Sequence, residues 1–185
     1  SVPEGRGDIA MMIDLSGSMG YMDNLGTALA VAMAVAMEAE SSGRAVQVFF
    51  FNSTIRRNLL FEKTRDNSYL VRGVSTSKVK WVSGLLGIQA SGGTCLGQSL
   101  VECLSMTKVM AKKSDLLIIT DGVVEQVADN LIQEIRRQQR EQDLRLFSLT
   151  INGGGYADNM KQVADKVIDL DSNLLENGAE CIALL

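Results

Sequence analysis

The chain has 185 residues, of which 46% are hydrophobic, and its formal net charge is −4. This length suits one domain with a sizeable core, and residues 1–185 are expected to form a single domain. The acidic balance argues against nucleic-acid binding, which needs clustered lysine and arginine. The sequence contains no histidine, which excludes imidazole metal sites and Ser-His-Asp or Cys-His catalysis.

The cysteines and the hydropathy of the sequence indicate the cellular compartment in which the protein is expected. The three cysteines, Cys95, Cys103 and Cys181, form no CxxC pair, and their odd number indicates free thiols in a reducing environment. No apolar run reaches the roughly 20 residues that cross a bilayer, and no basic start precedes an apolar signal core. We therefore expect a cytoplasmic protein that is not inserted in a membrane.

The first half of the chain alternates between strand and helix patterns. Residues 8–14 form a short apolar run ending at an acid, which is typical of a strand buried on both faces. Residues 25–39 are rich in Ala, Leu and Met and predict a helix. The strand predicted at 45–51 is followed by a short turn and a second apolar run at 55–61, which indicates a hairpin to an antiparallel edge strand. A short helix is predicted at 77–90.

The second half continues the alternation. A glycine loop at 91–94 precedes a predicted helix at 95–111, and a buried strand at 114–121 again ends at an acid. The remaining predicted elements are a charged amphipathic helix at 124–142, a strand at 144–151, a short helix at 158–166 and a strand at 166–170. This pattern predicts an α/β fold: a doubly wound, mostly parallel sheet of strand order 3-2-1-4-5-6, with one antiparallel edge strand and helices on both faces.

Oxygen-bearing side chains follow two strands that this order makes neighbours. Asp14, Ser16 and Ser18 stand at alternate positions in "DLSGS", and residues i, i+2 and i+4 of a non-helical segment can point to one side. Ligands of such sheets bind beyond the carboxyl ends of the strands, where Asp121 and the glycine loop ending at Thr94 also lie. Two carboxylates and three hydroxyls suit a hard cation such as Mg²⁺.

Other interpretations of the first loop account for less of the sequence. A nucleotide loop needs G-x-G-x-x-G or a GKS/GKT ending, and neither occurs. A phosphatase with Asp14 as nucleophile needs a general acid two residues later, where Ser16 stands. Helix capping alone would explain "DLSGS" but neither "SGGT" nor "ITDG". A metal-dependent hydrolase using Asp14 is kept as the alternative function, although the only further acids near the motif are Asp23 and Glu125.

Taken together, "DLSGS", "GGT" ending at Thr94 and "TDG" around Asp121 resemble the metal-ion-dependent adhesion site of von Willebrand factor A domains. The resemblance covers nearly the whole chain, including the hairpin after the first helix. It implies Ser16, Ser18 and Thr94 as direct ligands of Mg²⁺, with Mn²⁺ or Ca²⁺ as substitutes. It also implies that Asp14 and Asp121 act through water or alternate as ligands.

The resemblance implies a protein-binding module rather than an enzyme. An Asp or Glu of a partner protein would complete the metal coordination. The lack of disulfides and of a signal resembles the intracellular bacterial members, which work beside AAA+ ATPases of the MoxR class or in metal-chelatase and similar assemblies. The arrangement "SGGTCLGQSL", then "LLIITDG", then a charged helix is similar to MoxR-associated members. The expected partner therefore belongs to such an assembly, and no role for nucleic acid is expected. We expect five segments to surround the site: 20–24, 62–76, 91–94, 122–126 and 152–157.

Overall fold

The computed structural model describes residues 7–61, 69–71, 74–76, 88–107 and 113–170. Its strands are β1 (Ile9–Asp14), β2 (Val46–Phe51), β3 (Ile55–Phe61), β4 (Tyr69–Val71), β5 (Val74–Thr76), β6 (Asp115–Thr120), β7 (Arg145–Ile151) and β8 (Lys166–Leu170). Its α-helices are α1 (Asn24–Ser41), α2 (Leu96–Met106) and α3 (Asp129–Gln142), and 3-10 helical segments cover Gly17–Asp23 and Gly154–Gln162.

Six strands form one sheet in the order β3-β2-β1-β6-β7-β8. The pairing of β2 with β3 is antiparallel, and the other pairs in this sheet are parallel. Because β4 and β5 pair only with each other, the six strands of this sheet, counted in chain order, have the predicted order 3-2-1-4-5-6. The predicted order and the antiparallel edge strand are therefore confirmed. The order reverses between β1 and β6, so the carboxyl ends of these two adjacent strands lie side by side.

The central strands β1, β2 and β6 are buried on both faces, as their apolar sequences predict. Met11 and Ile13 of β1 belong to a core cluster with residues of α1, whereas Ala10 and Met12 belong to a cluster with residues of α2 and α3. Successive strand residues point to opposite faces, so a strand between two helical layers must be apolar at nearly every position. No helix in the described ranges combines the length and apolar character needed to cross a bilayer.

The amino-terminal edge of the sheet is fixed by a buried acid. Asp115, at the start of β6, has no exposed side-chain surface. Its Oδ1 lies 2.7 Å from Nε of Arg145, and its Oδ2 lies 3.0 Å from Nη2 of Arg44. Burying a carboxylate is costly, and pairing with cations offsets that cost. Asp115 therefore ties the start of β7 and the segment before β2 to the centre of the sheet.

Two predicted helices were placed wrongly. The helix predicted from 124 begins at Asp129, because Val127 is buried and its N–H donates to Oε1 of Gln162 at 2.7 Å. The helix predicted at 158–166 is a 3-10 segment at 154–162. It ends early because Asp165 pairs with Leu146, donating its N–H to the Leu146 carbonyl at 2.7 Å and accepting from the Leu146 N–H at 2.8 Å.

Other elements differ less or lie partly outside the described residues. The 3-10 segment at 17–23 and the β4-β5 hairpin were not predicted. Of the helix predicted at 77–90, residues 77–87 lie outside the described residues and 88–90 are not helical. The helix predicted at 95–111 is described as far as residue 107. Cys95 and Cys103 are free thiols, and Cys181 lies outside the described residues.

Candidate functional site

Asp14 ends β1 and lies at the centre of the candidate site. It is fully buried, and its carboxylate accepts two hydrogen bonds. The N–H of Ser16 donates to Oδ1 at 2.7 Å, and the hydroxyl of Thr120 donates to Oδ2 at 2.7 Å. Because Thr120 ends the neighbouring strand β6, the second bond joins the two strand ends. The carboxylate is thereby held in one orientation.

The electrostatics around Asp14 oppose its ionisation. Burial raises the pKa of Asp14 above its ordinary value of 3.8, the hydrogen bonds from Ser16 and Thr120 offset part of that rise, and the negative charge of Asp121 adds to it. Asp121 is itself buried, directly after β6. Two carboxylates are therefore close enough to interact in a poorly solvated place. Such a pair favours binding of either a proton or a cation.

Ser16 and Ser18 bring two hydroxyls to the same place. Ser16 is buried and Ser18 is half-buried at the start of the 3-10 segment, and their Oγ atoms lie 3.1 Å apart. At this distance one hydroxyl can donate to the other. Adjacent ligands of an octahedral Mg²⁺, each at 2.0–2.1 Å from the ion, are also separated by about 3 Å. The spacing of the two hydroxyls thus fits neighbouring positions around such an ion.

The loop that carries Thr94 packs directly on the loop that carries the serines. The N–H of Gly17 donates to the carbonyl of Gly92 at 2.8 Å, and the N–H of Ser91 donates to the carbonyl of Leu15 at 2.7 Å. These backbone bonds hold Ser91 and Gly92, just before the half-buried Thr94, against the Ser16 loop.

The turn after β6 holds Asp121. Oδ1 of Asp121 accepts from the N–H of Val123 at 3.0 Å, and the N–H of Gly122 donates to the Thr120 hydroxyl at 3.2 Å. Gly122 has φ +79°, and a Cβ there would lie 2.8 Å from the carbonyl oxygen of Tyr156. Only glycine fits both the backbone conformation and the space. The turn is therefore packed tightly against the loop that follows β7.

Two contributors were not assigned a role from the sequence. Thr120 orients Asp14, and its place inside the "TDG" motif was the available signal. Asn52, just after β2, joins the hairpin to the Thr94 loop: its Nδ2 donates to the carbonyl of Ser91 at 3.0 Å, and its own carbonyl accepts from the N–H of Cys95 at 2.8 Å. A polar residue after a buried strand was its only signal.

The structure places the five sequence-predicted residues as follows. Asp14 is linked to Ser16 by a hydrogen bond and to Asp121 by charge, and Ser16 contacts Ser18. The loop that carries Thr94 is bonded to the Ser16 loop through the backbone of Ser91 and Gly92. In the described part of the chain, no three His, Cys, Asp or Glu side chains gather into a metal cluster. A cation here would therefore depend on hydroxyl oxygens and water in addition to two carboxylates.

Asp23 and Glu125, the two further acids near the motif, lie at the starts of helices. A Cβ on Gly26 would collide with both carboxylate oxygens of Asp23, so Asp23 lies folded over the first turn of α1. The N–H of Gly97, in the first turn of α2, points to Oε1 of Glu125 at 3.4 Å. Both carboxylates thus lie at helix starts, where negative charge is favourable.

Comparison with known proteins agrees with the observed sheet order. The family model for the von Willebrand factor type A domain matches residues 9–123. The regulatory protein ViaA of Proteus mirabilis (strain HI4320) is 27% identical over 170 residues, which cover 91% of this chain and 32% of that protein. The chain thus spans about a third of this relative's length.

Solved structures share the fold at low sequence identity. A von Willebrand factor type A protein from Catenulispora acidiphila superposes with a TM-score of 0.64 at 18% identity, covering 97% of this chain and 42% of that one. The pilus adhesin SpaC from Lactobacillus rhamnosus GG, in an open conformation, gives 0.63 at 14% identity, covering 98% and 30%. At these identities the similarity establishes the architecture.

Proposed function

The chain belongs to the von Willebrand factor type A domain family, and from that premise we propose that it is a metal-ion-dependent protein-binding module. The main support is the arrangement of four side chains. Asp14 and Asp121 are buried carboxylates that interact by charge, and the hydroxyls of Ser16 and Ser18 lie 3.1 Å apart in the loop that follows Asp14. A divalent cation would remove the repulsion between the acids. The hydroxyl spacing fits its coordination geometry.

Each residue has a defined part in this proposal. Ser16, Ser18 and Thr94 would contact Mg²⁺ directly, with Mn²⁺ or Ca²⁺ as substitutes, and Asp14 and Asp121 would hold it through water or by alternation. The ion supplies an electrophilic open position that accepts a carboxylate oxygen. Neutral hydroxyl ligands leave more positive charge on that position than carboxylate ligands would. An Asp or Glu side chain of a partner protein is therefore the favoured occupant.

Binding is favoured over hydrolysis by the positions of the nearby acids. A hydrolase that used Asp14 would need a second group to move a proton. Ser16 cannot do so near neutral pH, and Asp23 and Glu125 lie at the starts of α1 and α2. Asp14 itself accepts hydrogen bonds through both oxygens. These contacts support a site that holds a ligand without transforming it.

The partner is proposed to belong to a cytoplasmic AAA+ ATPase assembly of the MoxR class. Two observations support this. The motifs from residue 91 to residue 121 resemble those of MoxR-associated members of the family, and the related ViaA is named a regulatory protein. The free thiols of Cys95 and Cys103 suit a reducing compartment.

Capture from a native lysate tests the proposal. The immobilised protein is loaded in Mg²⁺, washed, and eluted with EDTA, and the eluted proteins are identified by mass spectrometry. Proteins that leave with EDTA from the wild type and are absent with Ser16→Ala support a metal-dependent module, and an AAA+ ATPase among them supports the assembly. Glu38→Gln, an exposed change on α1, serves as the matched control. Retention independent of both metal and Ser16 would refute the proposal.

A further inference from the structure

Four large apolar side chains are exposed on the loops around the candidate site. Tyr21 is 72% exposed, Met22 70%, Val123 42% and Tyr156 57%. They lie on the segments that follow β1, β6 and β7, at the carboxyl edge of the sheet. We call these four residues the apolar rim. Among the described residues, the other large apolar side chain of comparable exposure is Met37, near the far end of α1.

The loops that carry the apolar rim are fixed to one another. Nδ2 of Asn152 donates to Oδ1 of Asn24 at 2.9 Å, which ties the loop after β7 to the residue that follows Met22 and Asp23. Nδ2 of Asn159 donates to the carbonyl of Gly122 at 3.0 Å, beside Val123. The segments that carry the apolar rim are therefore held in fixed positions relative to one another.

The backbone is strained where it presents Tyr21 and Met22. Met22 has φ +49° and Asp23 has φ +56°, a left-handed conformation that non-glycine residues rarely adopt. Asp23 turns back over Gly26 at the start of α1, while the two preceding side chains face solvent. Strained conformations persist at sites where the surrounding structure imposes them for a function. Exposed tyrosine and methionine at such a turn are typical of a binding surface.

We propose that the partner segment carries its acidic residue between large apolar side chains, which pack on the apolar rim while the carboxylate reaches the predicted metal position. This inference rests on the proposed function and adds the chemistry of the flanking residues. A protein segment is favoured over an anionic membrane because Asp23 and Glu125 are exposed on the same loops, whereas the nearby Asp158 is paired with Lys161. The negative charge there also requires the cation before an acidic segment can bind.

Synthetic peptides test the inference. The probes are two biotinylated peptides, each with a central Asp, flanked in one by Phe and Leu and in the other by Ser, and presented on streptavidin sensors in Mg²⁺ or in EDTA. We expect the apolar-flanked peptide to bind in Mg²⁺ about tenfold or more tightly than the serine-flanked one, since burial of one large apolar side chain is worth at least that factor. EDTA should abolish binding of both.

Variants separate this inference from the proposed function. Met22→Ser and Tyr156→Ser should each weaken the apolar-flanked peptide several-fold and leave both the serine-flanked peptide and the Mg²⁺-induced rise in Tm unchanged. Met37→Ser is the matched control and should change nothing. The inference is overturned if Met22→Ser and Tyr156→Ser leave peptide affinity unchanged, as Met37→Ser should. It is also overturned if the two peptides bind equally or if neither binds. Self-association that light scattering detects in the wild type and not in Met22→Ser would overturn it as well. If Mg²⁺ does not raise the Tm of the wild type, the proposed function is refuted instead.

Discussion

Asp14→Asn should have opposite effects on stability with and without metal. The amide has the shape of the carboxylate and keeps an acceptor for the N–H of Ser16, while the bond to Thr120 reverses, with the amide N–H donating to the Thr120 hydroxyl. The substitution removes the buried negative charge that faces Asp121. We therefore expect the metal-free variant to unfold at a higher temperature than the metal-free wild type at neutral pH, and to lose its response to Mg²⁺.

The pH dependence has a definite sign. The folded-state pKa of Asp14 is raised above 3.8, mainly by burial, so the folded protein binds more protons than the unfolded chain between these two values. The free energy of unfolding of metal-free wild type must then fall as pH rises through that window. The stability advantage of Asp14→Asn should be small in acid, grow through the window and remain constant above the folded pKa.

The magnitude of the metal response follows from linkage. A ligand at a hundredfold excess over its Kd stabilises the folded state by about 2.7 kcal/mol. For a domain of this size each kcal/mol raises Tm by about 2–4 °C, so saturating Mg²⁺ should raise the Tm of wild type by about 5–11 °C. Calorimetry of wild type, Asp14→Asn and the exposed control Glu38→Gln, each in Mg²⁺ and in EDTA, measures both effects. A metal-free Asp14→Asn protein less stable than wild type at neutral pH, or an unchanged Mg²⁺ response, would refute the reasoning.

Three further changes probe the loops. Ser16→Ala should remove most of the Mg²⁺-induced rise in Tm while circular dichroism stays native, because it deletes one of the two hydroxyls 3.1 Å apart; an undiminished rise would remove Ser16 from the ligand set. Gly122→Ala should destabilise the fold by about 1–2 kcal/mol from its φ of +79° alone, and by more from contact with the Tyr156 carbonyl. Urea denaturation measures this, and Gly155→Ala, which meets open space, should cost far less. Thr94→Ala should reduce capture of the partner more than it reduces Mg²⁺ affinity; equal losses would make Thr94 an ordinary ligand.

The strands were predictable because burial on both faces leaves a plain sequence signal. The central strands β1, β2 and β6 lie between helical layers, so runs such as 46–51 and 115–120 are almost wholly apolar and cannot be taken for half-exposed surface. The polar residues that follow these strands stand out against them. The strand order then placed Asp14 and Asp121 at the same edge, which is why loops more than 100 residues apart in sequence could be assigned to one site.

The misplaced elements depended on contacts between distant residues. Residues 124–128 have helical composition, yet the Val127 N–H is taken by Gln162, a side chain 35 positions away. The 3-10 segment at 17–23 includes a left-handed Met22, which no local propensity favours. Asn52 offered only its polarity after a strand, and its link to Ser91 arises when the hairpin meets the Thr94 loop. Local sequence patterns carry no record of such long-range partners.

Because Asp115 pairs with Arg44 and Arg145, we expect the two ends of the sheet to tolerate substitutions differently. Anchorage at the amino-terminal end comes from this chain's own cations, so it needs no dissolved ion and should persist when the opposite loops are rewritten. A recognition surface could therefore be grafted onto the carboxyl-end loops while the contacts of Asp115 with Arg44 and Arg145 are left untouched. The same separation would let related chains diversify their loops through evolution while retaining a common framework.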